Sequence, residues 1–503
     1  MASLLNHRHF ALGLSFLTAL ALFYFLGTGL LREGYSSWSQ KGDAHFYAKC
    51  SEHFLESGNF RWFELYPIAL KKDHGTEMVW TAIAFPGAAA LLASVSSLSA
   101  QEAVVGTSVL FLLLSLVLMF GLGSYLEGGY LGLLLVAAVL CSEYLLSYGC
   151  SGSSETTSLF FLLAALSLMV LYQHRPSSFC MVALFLVLFL GCYARPQNQF
   201  FLIALPMWVF VQSGLFKWRW LIAVPLLLGA FFALNRMMVG NGQITFPYSF
   251  SFLVGCPPFP GHQLFREYWG GFGLAQVLER QDYLWDKALL GWYVLKQYWT
   301  EWLPHLLFLS AAALRGKYRG LARVVFLTLM ASLFFSAMGH LVPRYWRLLE
   351  PLTFVLLCLV TYERFSAYPH WTRLLAAQVL LSGFTFLYEP PYKASLEGVS
   401  LESQLAPQAL LEKLPADGLV ACNRPARIID GIKRAVLLCP QDPVHLQRIH
   451  NQVEPVNALV FSPDLYSPKS ELKLWAARHF DEDLMKLGFR LVYEEDNWLL
   501  YLR

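Results

Sequence analysis

Apolar residues in this chain gather into long blocks instead of alternating at a strand or helix period. Twelve blocks stand out, at 10–31, 78–98, 103–123, 130–150, 156–172, 179–194, 199–213, 220–235, 299–314, 323–340, 349–362 and 374–388. Their lengths approach the roughly 20 residues that cross about 30 Å of hydrocarbon. The first, "FALGLSFLTALALFYFLGTGLL", is too long for a signal-peptide core, and no small-residue cleavage site follows it. It is expected to remain as an uncleaved signal anchor. Between the blocks lie three long segments of mixed character, 32–102, 236–298 and 389–503.

The distribution of basic residues orders these blocks across a membrane. With Arg8 cytoplasmic and 78–98 not counted as a crossing, the cytoplasmic connections collect Arg175, Lys217, Arg219, Arg315, Lys317, Arg319, Arg323, Arg364 and Arg373. Only Glu127 and Glu363 oppose them. Counting 78–98 as a span would move nearly all of those cations outside. Its "FPG" at 85–87 is read as a break in the middle of the block, and "SVSSLSA" ends it. A juxtamembrane or re-entrant segment on the outer side fits better. The expectation is therefore an α-helical polytopic membrane protein of about eleven spans. Residues 1–388 form the membrane domain, and the three long segments share the extracytoplasmic face.

Composition agrees. Of 503 residues, 56% are hydrophobic and only 14% charged, too few charges to cover a soluble protein of this size. A net charge of +3 without a basic tract gives no reason to expect nucleic acid. The nine cysteines show no metal-ligand spacing, and Cys141, Cys180, Cys192 and Cys358 read as small hydrophobes inside apolar blocks. Cys422 and Cys439 sit near short β-like runs, where a disulfide is one option.

The outer segments carry the chemistry. In "KGDAHFYAKCSEHFLESGNF" (41–60), Phe46, Cys50 and Phe54 recur at helical spacing, with Tyr47 and Leu55 beside them, and Gly58 is a helix stop. Asp43 at the head of that helix is either an N-cap or a group facing a cavity. A second cluster, "KKDHGTEM" (71–78), offers Asp73, His74 and Glu77, which are otherwise plain loop charges. The segment 236–298 is rich in Trp, Tyr and Gly, as interfacial helices are. From 389 the chain turns polar and contains "GLVACN", "AVLLCP" and "NALVFS", a helical stretch near 469–487, and "FRLVYEEDNWLLYLR", which reads as a terminal hairpin. Residues 389–503 are thus expected to form a small α/β domain.

In order, these motifs resemble the GT-C superfamily of lipid-dependent glycosyltransferases, nearest the protein-O-mannosyltransferase and aminoarabinose-transferase branch. "GDAHFYAKCSEHFLESGNF" is similar to the family's first outer loop, with its acid and following Tyr, and "AFPGAAALLA" to the juxtamembrane segment after it. "YGCSGSSETTSLFFLLAALSLMVLY" resembles a Ser-Glu start of a span, "YARPQNQFFLIALP" an Arg-Pro start, and "VPRYWRLLEPL" an Arg-Tyr run before a Pro-containing span. Many members carry a second acid directly after the first. Here Ala44 takes that place.

The resemblance implies a polyprenyl-phosphate-linked sugar donor and transfer to an acceptor hydroxyl with inversion, at the outer membrane edge. It implies Asp43 as general base and Tyr47 in the substrate site. A phosphate leaves readily, so the two-carboxylate arrangement of glycoside hydrolysis is dispensable. Arg195, Arg344 and Arg347, at outer span ends, are candidates for the departing phosphate, with Lys71 and Lys72 behind them. Each arginine otherwise snorkels to headgroups. Glu143, inside a span, lines the cavity or pairs with a cation. Glu155 caps a helix or touches substrate. His74, Glu77, His340, Tyr345 and Trp346 complete the candidate binding set. No cofactor or metal is implied, and a weakly held divalent cation remains compatible. The other partners are the membrane lipids and an acceptor whose class (glycan, lipid or protein) the residues leave open. Sugar identity is equally open. The expected location is a bacterial inner membrane with the site and the C-terminal domain extracytoplasmic. The rival class is a transporter or flippase of lipid-linked sugars, which would share the spans and Glu143 but usually shows internal repeats. A noncatalytic scaffold is the third reading.

Overall fold

A computed structural model describes residues 27–29, 31, 42–65, 78–79, 82–127, 129–140, 148–149, 151–213, 218–239, 243–244, 289, 292, 295–296, 298–335, 344–365, 405–432, 434–440, 443–462, 480–496 and 498–503. Asp73, His74, Glu77, Lys71, Lys72, Glu143 and His340 lie outside the described residues, as do nearly all of 10–31, all of 374–388 and most of 236–298.

Helix α1 (Gly42–Ser57) begins with an acid in its first turn, where negative charge suits the helix dipole. Its N-terminal half is buried nearly all round, through Ala44, His45, Phe46, Tyr47, Ala48, Cys50 and Ser51. The helix stops at Gly58, whose φ of 77° is one that a side chain would strain. There the Gly58 N–H donates to Phe54 O at 2.8 Å. Helix α2 (Ala84–Val95) is 12 residues long, about 18 Å at 1.5 Å per residue. Pro86 does not break it. The proline sits in the first turn, where its missing N–H has no intrahelical partner to lose.

The bundle follows: α3 (Ala100–Glu127), α4 (Gly129–Leu140), α5 (Glu155–His174), α6 (Ser178–Ala194), α7 (Gln199–Ser213), α8 (Trp218–Val239), α9 (Trp299–Leu314), α10 (Arg319–Phe335), the short α11 (Arg344–Arg347) and α12 (Glu350–Phe365). Among the described residues, α3 and α5 are long and apolar enough to cross a membrane. Five shorter apolar helical stretches accompany them, at 84–95, 131–140, 178–194, 222–235 and 302–314. The bundle core is a single cluster of Leu, Val, Ala and aromatic side chains, with Trp208 and Phe201 at 0% exposure. Its outside is apolar as well. Phe179, Val182, Leu186 and Leu190 form an exposed stripe along α6, which suits lipid and not water. Helices α3 and α4 meet backbone to backbone at Gly123 and Gly132, where a Cβ on Gly123 would come within 2.4 Å of Gly132 N.

Outside the bundle lies a six-stranded sheet of order β2-β6-β5-β7-β9-β8. Five strands arise where the β-like runs and the terminal hairpin predict them: β5 (Leu419–Cys422), β6 (Val436–Leu438), β7 (Val456–Phe461) and the hairpin β8 (Arg490–Glu495)–β9 (Trp498–Leu502). Strand β2 (Glu64–Leu65) comes from the segment 32–102 and pairs in parallel with β6. Two further pairings join β1 (Arg61–Trp62), β3 (Met78–Val79) and β4 (Gln243–Ile244), so the start of the segment 236–298 is tied to 32–102. Helix 480–486 occupies the end of the helical stretch expected at 469–487, and 463–479 lies outside the described residues. Cys422 and Cys439 lie on neighbouring strand segments as buried thiols, joined by a backbone bond from Cys439 N to Cys422 O of 2.9 Å.

A second core unites α1, α2 and the first turns of α3 with this sheet. Phe46, Tyr47, Phe63, Leu65, Phe85 and Val104 belong to the same buried cluster as Val436, Leu459 and Phe461. The described residues of 42–65, 82–105 and 405–503 therefore share one buried core.

Candidate active site

Two helix ends, the start of α5 and the end of α6, converge on the head of α1. Asp43 stands in its first turn, half-buried, while its neighbours along the helix are covered. One turn on, the buried Tyr47 hydroxyl shares a 2.9 Å hydrogen bond with Ser154 Oγ. Ser154 is the residue before α5, and Glu155 opens that helix at 1% exposure. Arg195 directly follows α6 at 7% exposure, and its Nη1 lies 2.5 Å from Glu155 Oε1. Burial pushes the pKa of the Tyr47 phenol up, and the charge of Asp43 raises it further. Arg195 opposes these effects, and Glu155 adds to them. Tyr47 stays a protonated donor throughout the physiological range. The four residues Asp43, Tyr47, Glu155 and Arg195 thus form one electrostatic unit.

Local sequence explains why the unit is held so firmly. The run "SGSSETTS" (151–158) supplies hydroxyls in place of bulky side chains, so the turn before α5 is tied by its own groups. Ser108 Oγ donates to Ser153 O at 2.9 Å and accepts from Ser153 N at 3.1 Å, anchoring the turn to α3. Gly152 adopts a φ of 68° within it. Ser158 Oγ donates to Asn198 Oδ1 at 2.7 Å, and Asn198 Nδ2 donates to Gly191 O at 2.9 Å, fixing α5 against the end of α6. Arg195 Nε donates to Gln197 Oε1 at 3.2 Å. On the other side of α1, Ser51 Oγ donates to Pro86 O at 2.9 Å, and Phe85 meets the Tyr47 ring edge-on at 4.9 Å.

A further contact joins α1 to the C-terminal body. His45 is 1% exposed, and its Nδ1 lies 2.5 Å from Asp430 Oδ2. Gln101 Nε2, at the head of α3, donates to the same carboxylate oxygen at 3.5 Å. Sequence reading missed both Asp430 and Ser154. The hydroxyl-rich run around Ser154 was a usable signal. Asp430, 385 positions from its partner, gave none.

Arg344 and Arg347 bound the short α11, which packs on α10 and whose Trp346 is buried beside Tyr298 at 6.0 Å between ring centroids. His305 and Glu350 approach within 3.6 Å between α9 and α12. Among the described residues, no three His, Cys, Asp or Glu side chains are grouped to hold a metal ion.

No protein-family model matches the sequence, and no curated protein sequence matches it. Solved structures do. The chain aligns with ArnT from Cupriavidus metallidurans in the apo state at 13% identity and a TM-score of 0.51, covering 96% of this chain and 97% of that one. ArnT bound to undecaprenyl phosphate aligns equally, at 14% identity and a TM-score of 0.51, again over 96% and 97%. Archaeal oligosaccharyltransferase AglB from Archaeoglobus fulgidus, in complex with an inhibitory peptide and a dolichol-phosphate, aligns at 11% identity and a TM-score of 0.50, over 96% of this chain and 74% of that one. The chain thus shares the fold of ArnT and AglB.

Proposed function

We propose that this chain is a multi-pass membrane glycosyltransferase that moves a sugar from a polyprenyl-phosphate carrier to an acceptor hydroxyl, with Asp43 as the base. The observation that carries the reading is the placement of Asp43. It is the half-exposed member of an otherwise buried Tyr47–Glu155–Arg195 cluster, within a fold that aligns almost end to end with a protein crystallised with undecaprenyl phosphate. The polyprenyl-phosphate donor is carried over from that structure and from AglB with its dolichol-phosphate.

In the proposed reaction the acceptor oxygen attacks the anomeric carbon while its proton passes to the Asp43 carboxylate. The bond from that carbon to the phosphate oxygen breaks, the phosphate keeps the electron pair, and the configuration inverts. A carboxylate is a weak base at neutral pH, so proton transfer follows charge development on the attacking oxygen. Tyr47, held protonated, can donate to the sugar or phosphate. Arg195 is already held by Glu155, so its first role is to set the local field, and a phosphate would have to share it. Arg344 and Arg347 are the proposed phosphate ligands, through the planar guanidinium fork. Eleven spans, a bacterial inner membrane and an outward-facing site complete the proposal.

The test compares wild type with Asp43→Asn in detergent, using radiolabelled polyprenyl-phosphate sugars and membrane extract as acceptor. Loss of about 10²–10⁴-fold in lipid-phosphate release, with unchanged donor binding, supports the assignment. Full turnover in the variant moves the base elsewhere. Donor binding without turnover by wild type favours a transporter of the same lipids.

A further inference from the structure

At the far end of α5 from Glu155 lies a cavity of about 760 Å³ between α3, α5 and the start of α6. The 20-residue length of α5 puts its Arg175 end about 30 Å from the candidate active site. We infer that this cavity binds one anionic phospholipid of the surrounding bilayer, its phosphate at Arg175 and one acyl chain against α3.

Three independent observations converge on that ligand. The walls are mainly apolar, including Leu118, Leu122 and Leu171, while the mouth carries Arg175 and Ser177. That pairing of hydrocarbon depth with a cation at the rim matches a lipid tail and a charged headgroup. The mouth is also the N-terminus of the 17-residue α6, which has no acid in its first turn and has Ser177 as its cap. Ser177 Oγ accepts from Cys180 N at 3.1 Å, and Cys180 lines the cavity. The positive end of a helix and a guanidinium therefore face the same opening, an arrangement that favours phosphate. Finally, Gly121 lines the cavity, and a Cβ built on it meets nothing within 4 Å. A glycine inside an exposed helix is less favourable than alanine. Gly123, two residues on, is required by the close approach of Gly132, but helix packing gives no such reason for Gly121. Space for a lipid chain does.

Basic residues continue this rim on neighbouring elements: Lys317 Nζ lies 3.1 Å from His174 Nε2, and Glu363 Oε1 accepts from Lys317 N at 3.4 Å. The exposed Arg175 is the cation that lines the cavity itself. The inference uses the membrane reading of the bundle and does not depend on Asp43 or on any transfer reaction.

The experiment is native mass spectrometry of the full chain, delipidated in detergent and titrated with phosphatidylglycerol or phosphatidylcholine of identical acyl chains. Wild type is expected to retain one phosphatidylglycerol at least tenfold more tightly than phosphatidylcholine. Arg175→Gln should erase that preference, since a hydrogen bond to a charged group carries about a tenfold effect or more. Gly121→Leu should fill the cavity and lower retention of both lipids, and an unchanged melting temperature shows that the variant is folded. Equal retention of the two lipids by wild type overturns the inference, as does an undiminished preference in Arg175→Gln. Displacement of the bound phosphatidylglycerol by stoichiometric polyprenyl phosphate also overturns it, because the occupant is then the donor tail. If Gly121→Leu does not fold, the headgroup comparison on Arg175→Gln decides alone.

Discussion

Asp430→Ala should loosen α1 from the C-terminal body without unfolding either. The carboxylate approaches His45 Nδ1 at 2.5 Å, with the histidine 1% and the aspartate side chain 19% exposed. Removing an acceptor from a buried donor costs about 1–3 kcal/mol, and more where the groups are charged. The partial exposure of Asp430 lets water replace some of the loss and places the expected value in the middle of the range. A penalty of about 2 kcal/mol shifts the docked-to-undocked ratio by roughly 30-fold. Hydrogen–deuterium exchange on the full chain in detergent reads this directly, because local opening exposes amides in cooperative units. Exchange should accelerate in 42–57 and in 436–438, which share one buried cluster, while α5 and α6 remain protected. Asp430→Asn keeps an oxygen acceptor and should lie near wild type. Exchange in α1 that is identical between Asp430→Ala and wild type would falsify the claim that this contact holds the helix.

Three other outcomes follow from the same geometry. Glu155→Ala should destabilise the protein by about 3–5 kcal/mol, because it leaves the buried Arg195 without its carboxylate. The double change Glu155→Leu with Arg195→Met should recover much of the thermal midpoint but none of the turnover, and recovery of both would remove the pair from the site. His450 is held below its ordinary value near 6.5 by burial and then by Arg503, while its Nδ1 accepts from Val456 N at 3.0 Å. A lowered histidine is fully stabilising above its unfolded value and loses that contribution as pH falls through the folded one, so acid titration below about 6.5 should weaken the C-terminal body. His450→Gln should flatten that slope in a urea-unfolding series. Gly123→Leu should force α3 and α4 apart, since even a Cβ would sit 2.4 Å from Gly132 N. A melting temperature equal to wild type would show that the two backbones do not meet as described.

Local chemistry was legible in the sequence wherever a signal recurs within a few residues. The helical spacing of Phe46 and Cys50, the stop at Gly58, the three β-like runs and the terminal hairpin each became the expected element. The proline of "FPG" was read as an interruption, and the structure places it in a first turn, where a missing N–H is harmless. Pairings across the chain were not legible. Nothing in "WFEL" marks Glu64–Leu65 as the partner of Val436 and Leu437, because a two-residue strand has no periodicity of its own. Glu155 and Arg195 were each singled out, yet their contact depends on how α5 and α6 pack, information that neither motif contains. The same holds for Asp430, an ordinary loop acid until the fold sets it against His45.

The parallel union of β2 with β6 has a consequence for how the protein is made. His45 and Asp430 are separated by 385 positions, so at about 5–20 residues per second the ribosome needs roughly 20–80 s to deliver the second after the first. Through that interval Phe46, Phe63 and Leu65 lack the strands that later cover them. Bundle insertion can proceed in chain order, but the head of α1 reaches its final setting only after β6 and β7 arrive. The newborn chain is thus an inserted bundle with an unfinished second core, open to capture by chaperones or proteases at that core. Truncation anywhere before residue 456 should leave it in that condition permanently.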